Sequence, residues 1–82
     1  MILVDVFVPV LGRTYDFKLD DSVAIRTLTE ELIAILCQWE GYPIEDNFHS
    51  FMLCDLETER ILSPMTTLKE NAIKSGDRLL LA

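Results

Sequence analysis

Chemistry in a short chain needs nucleophiles, acid–base pairs or metal ligands at fixed spacing, and the candidates here are few. His49 is the only histidine of the 82 residues. Its neighbours Asp46, Cys54 and Asp55 stand at no spacing that serves a zinc ion or a general base. It therefore reads as an ordinary strand-edge residue. Cys37 and Cys54 are the only cysteines and lie seventeen positions apart, without the close pairing of a zinc or redox motif. Cys37 falls in an apolar helical stretch and Cys54 in a strand-like one, so neither has the cationic setting that lowers a thiol pKa. Both read as reduced structural thiols of a cytosolic protein; a single disulfide in an exported protein is the alternative. Glu30-Glu31, Glu45-Asp46 and Glu57 with Glu59 fall on solvated faces, loops or turns. The three glycines form no phosphate-cradling loop. The expectation is a chain with no catalytic residues, no cofactor and no metal.

Charge narrows the partners. Fourteen acidic and seven basic residues give −7. Nucleic-acid binding needs clustered Lys and Arg, whereas Arg13, Lys18, Arg26, Arg60, Lys69, Lys74 and Arg78 are scattered. Docking on anionic lipid is disfavoured for the same reason. No stretch approaches the roughly 18 apolar residues of a membrane span, so no membrane insertion is expected. Residues 2–10 are apolar, yet no basic segment precedes them and no small-residue cleavage site follows, unlike a signal peptide. The expected location is the cytoplasm.

The elements that position these side chains follow from period. In residues 2–10 the even positions Ile2, Val4, Val6, Val8 and Val10 are β-branched, predicting a strand with one core face. Gly12 supplies a turn, and 14–19 alternate again with Tyr15, Phe17 and Leu19 inward, which makes a hairpin. Asp20-Asp21-Ser22 offers N-cap side chains to a helix over about 23–40. Ile25, Leu28, Leu32, Ile35, Leu36 and Trp39 fall within an arc of about 100° and form its expected core face. Gly41 suits a left-handed C-terminal residue, with Pro43 soon after. Residues 48–55 read as a third strand, 59–62 as a short fourth, 67–71 as one helical turn capped by Thr67, and 78–82 as a last strand.

The order ββαββ, helical turn, β has one economical closure. The last strand pairs in parallel beside the first, giving an α+β fold with a mixed sheet of order 2-1-5-3-4 and the long helix across one face. That is the β-grasp arrangement, expected here as one unit over residues 1–82.

With the hairpin at Gly12, the helix after Asp20-Asp21-Ser22, the segment Thr67-Leu68 to Ile73, and Gly76-Asp77-Arg78-Leu79-Leu80-Leu81, the chain resembles ubiquitin along nearly its whole length. More narrowly, its size, its Gly-Asp-Arg-Leu run and its termination after the last strand are similar to the YukD/EsaB family. These are small ubiquitin-like proteins that accompany type VII secretion systems of Gram-positive bacteria. That resemblance implies a cytosolic accessory or regulatory role, through contacts with proteins of the secretion machinery. It departs from ubiquitin at Leu80-Leu81-Ala82, where modifiers and sulfur carriers have an extended Gly-Gly tail, so conjugation is not expected. The alternatives are a sulfur carrier or modifier lacking that tail, and a small structural subunit of a multicomponent enzyme.

Strand parity leaves a surplus of apolar residues pointing away from the helix. If the even positions of the first strand face inward, Leu3 and Phe7 face out; burial of Leu79 and Leu81 sends Leu80 and Ala82 out. Phe51 and Leu53 inward leave Met52 and Cys54 outward. The first, last and third strands are neighbours, so Leu3, Phe7, Met52, Leu80 and Ala82 are the expected partner-binding residues, forming one contiguous patch. The occupant is a protein, with a homodimer as one form it can take. Ile33 and Cys37, off the helical arc, are a second and weaker candidate surface.

Overall fold

The computed structural model of the protein describes residues 1–41 and 51–82. The elements are β1 (Ile2–Val8), β2 (Arg13–Leu19), α1 (Ile25–Glu40), β3 (Leu53–Asp55), β4 (Arg60–Ile61) and β5 (Arg78–Leu81). They form one sheet of order β2-β1-β5-β3-β4, with β1 and β5 parallel and the other neighbours antiparallel. This is the expected β-grasp order. Residues 42–50, which include His49, Glu45-Asp46 and the start of the expected third strand, lie outside the described residues.

Period-2 alternation in β1 puts Val4, Val6 and Val8 into the core, where they meet Phe17 and Leu19 of β2 and Leu79 and Leu81 of β5. β1 stops at Val8, however. Val8 and Pro9 carbonyls accept from the amides of Leu11 and Gly12 in the turn, so Val10 leaves the ladder and is 73% exposed rather than inward. Gly12 takes a positive φ of 63°, as the turn requires.

α1 buries Ile25, Leu28, Thr29, Leu32, Ile33 and Leu36. This face is rotated by about 40° toward Ile33 relative to the expected arc, at 100° per residue. Ile33 is therefore buried, not a surface residue, while Ile35 is half-buried. Trp39 is 58% exposed rather than core. It sits on the last turn, past the end of the apolar layer, and lies flat on Phe17 with ring centroids 5.5 Å apart. Gly41 ends the helix in the left-handed conformation, as expected.

The helix begins differently from the expectation. Ala24 precedes it and no side chain caps it. Asp20 instead accepts from the Ser22 amide and hydroxyl in a local turn. The free amides of Ile25 and Arg26 donate to the carbonyls of Thr66 and Pro64. The 63–73 segment is thus a built surface for the helix start. Thr67 and Glu70 hold it through reciprocal side-chain-to-amide bonds, Asn71 donates to Thr66 and Thr67, and Leu68 anchors it in the core with no exposure.

Candidate functional site

One face of the sheet carries α1; among the described residues no helix or further strand covers the other, open face. Register defines the side chains on it. Phe7 stands opposite Thr14 on β2 and Leu80 on β5, Leu80 opposite Cys54 on β3, and Cys54 opposite Ile61 on β4. Thr14, Phe7, Leu80, Cys54 and Ile61 therefore form one row across all five strands. At about 4.8 Å per strand gap the row is about 19 Å long. Phe7, Leu80 and Cys54 are half-buried, and Ile61 at the edge is 61% exposed.

Beyond this row, toward the C-terminus, Met52 and Ala82 exchange two backbone hydrogen bonds and are both exposed. On the other side lies a charged row, Asp16 opposite Asp5 and Asp5 opposite Arg78. Leu3 comes after it, paired with Lys18 and bonded through its backbone to Ser75 and Gly76. Four of the five expected residues, Phe7, Leu80, Met52 and Ala82, are thus brought together. Leu3 shares the face but is set apart by the charged row, so the patch is not contiguous through it.

Ile61 and Cys54 complete the row and were not among the expected site residues. A signal for Ile61 existed: once Leu62 is inward, its neighbour in a strand must face out. A two-residue strand has too little periodicity to make that visible. Ile61 and Met52 also border a groove of about 350 Å³ at the β4 edge, with Phe51, Pro64 and Met65 on its apolar side and Arg26 and Glu30 on its helix rim.

Electrostatics on the face centre on Asp5. A hydrogen bond with Asp16 pushes its carboxyl above the usual value, with lesser help from burial and the Asp16 charge, and Arg78 opposes the shift. Burial raises the Cys54 thiol, which keeps it protonated and a poor nucleophile at neutral pH. Cys37 is half-buried against the core, so only part of the second expected surface is accessible. Among the described residues no three His, Cys, Asp or Glu side chains gather as metal ligands, and no helix is long and apolar enough to cross a membrane. What the face offers is an apolar strip with a charged border, suited to contact with another protein.

No family model matches the sequence, and no curated protein does. Solved structures do match. The EccD5 ubiquitin-like domain from Mycobacterium xenopi superposes with a TM-score of 0.76 at 22% identity, covering 99% of this chain and 91% of that one. Ubiquitin from Caldiarchaeum subterraneum gives 0.69 at 15%, covering 98% and 89%. A design based on ubiquitin gives 0.70 at 25%, covering 99% and 85%. The chain has the ubiquitin-like β-grasp fold.

Proposed function

We propose that this chain is a ubiquitin-like protein–protein interaction module. It acts in the cytoplasm, without catalysis and by non-covalent contact, as an accessory or regulatory component of a bacterial type VII secretion system. Its helix-free sheet face docks a protein of that machinery. The observation that carries the docking reading is the five-strand row Thr14–Phe7–Leu80–Cys54–Ile61, because a contiguous apolar patch with a charged border marks an interaction site. Two things support the secretion assignment. One is the resemblance of the sequence to YukD/EsaB, and the other is the likeness to a ubiquitin-like domain of a type VII secretion component.

The test is the double variant Phe7→Asp with Leu80→Asp, its fold checked by circular dichroism. Both charges enter the centre of the strip, where an unpaired carboxylate loses its water on docking. Capture of secretion-machinery proteins from cells that carry the system, identified by mass spectrometry, is expected to fall at least about tenfold, or about 1.4 kcal/mol. Unchanged capture by the folded double variant overturns the reading.

A further inference from the structure

The open face is the part of this acidic molecule whose charges balance. Its strand positions carry two acids, Asp5 and Asp16, and two bases, Lys18 and Arg78. The other twelve acids (14 − 2) and five bases (7 − 2) lie elsewhere in the sequence. The net −7 is thus carried by the rest of the chain, and two copies meeting by this face bring no net charge of its strand positions against each other.

Register makes the face self-complementary as well as neutral. β1 and β5 are parallel and in step, with Asp5 level with Arg78 and Phe7 level with Leu80. Consider a two-fold axis running along the face, midway between β1 and β5. It places the second copy's β5 over β1 at the same level. Arg78 then meets Asp5 of the other copy twice over, and Phe7 meets Leu80 twice over, while Thr14 meets Cys54. Aligned face-to-face packing of two twisted sheets is a standard geometry, with the sheets about 10 Å apart, and a two-fold contact of one surface with itself is the commonest closed form of association. Among the described residues of one chain neither Asp5 nor Arg78 makes a salt bridge: those present are Met1–Asp21, Arg13–Glu40 and Arg26–Glu30. The like charges of Asp5 and Asp16, side by side on neighbouring strands, are unfavourable in the isolated chain, and a guanidinium laid over them relieves that.

We propose that a second copy of this chain occupies the open face, as a two-fold dimer held by reciprocal Asp5–Arg78 pairs around a Phe7–Leu80 centre. This rests on the reading of that face as the docking surface: the dimer is the form the free chain takes, and the second copy leaves when a machinery protein docks there.

Charge reversal tests it on the full chain by sedimentation velocity from about micromolar to about millimolar concentration. Wild type is expected to show a concentration-dependent dimer. Asp5→Arg alone sets Arg against Arg, and Arg78→Asp alone sets Asp against Asp, so each is expected to weaken dimerisation at least tenfold. The equimolar mixture of the two variants restores both pairs and is expected to recover the dimer as a heterodimer. Circular dichroism checks each fold, and Asp5→Lys with Arg78→Glu is the reserve pair. A wild type that stays monomeric throughout overturns the proposal, as do folded single variants that dimerise normally or a mixture that does not recover. The docking reading fails separately. A monomer whose partner capture is still lost in the Phe7→Asp, Leu80→Asp variant keeps docking and loses the dimer. A dimer whose partner capture ignores that variant does the reverse.

Discussion

Asp5 and Asp16 sit directly opposite each other on an antiparallel pair, a placement that costs stability when both are ionised. The shared hydrogen bond raises Asp5 from the ordinary 3.8. A carboxyl raised in the folded state holds its proton there more tightly than in the unfolded chain. Stability from this site is therefore present at low pH and falls as pH rises from 3.8 through the raised value. Asp16→Asn is expected to unfold at higher temperature than wild type at pH 7, with the difference vanishing below about pH 3.8. Thermal melts across pH check it, and an equal or lower melting temperature at pH 7 refutes it. Individual residues were also where the sequence was hardest to read. Val10 and Trp39 carried the right period but lay just past the end of the element that would bury them, and period alone does not mark where a neighbour stops. Ile61 had the opposite problem, a clear outward position in a strand too short to announce it.

At the level of elements, strand and helix identity was legible because alternation and helical period are long and unmixed in 2–8, 13–19 and 25–40. The start of α1 was not. Asp20-Asp21-Ser22 has the composition of a cap, yet the amides of Ile25 and Arg26 are satisfied by a loop forty residues further on, at Pro64 and Thr66. No local signal records a partner that distant. The 63–73 segment therefore does the work of a cap, and its hold on the helix depends on Leu68, which is wholly enclosed in the core. Leu68→Ala removes that anchor and leaves a cavity under the helix start, at an expected cost of about 2–5 kcal/mol in denaturant unfolding. A loss under about 1 kcal/mol, the range of an average substitution, contradicts the role given to this segment.

For the whole molecule, parity on five strands decides what the outside world meets. The helix covers one side of the sheet, and the other keeps Phe7, Leu80, Cys54 and Ile61 in line. Most of that line was legible, since alternation fixes which residues point away from the core once the strand order is known. What composition could not supply is the interruption by Asp5, Asp16 and Arg78, which separates Leu3 from the rest, because row membership depends on register between strands distant in sequence. The most direct measurement places a photo-crosslinking residue at Met52 on the open side, and in a second variant at Glu31 on the exposed side of α1, in cells carrying the secretion system. Crosslinked protein is expected from position 52 and little or none from 31. Crosslinks from 31 alone would mean that this molecule meets its partners across the helix and that the open sheet is not its working surface.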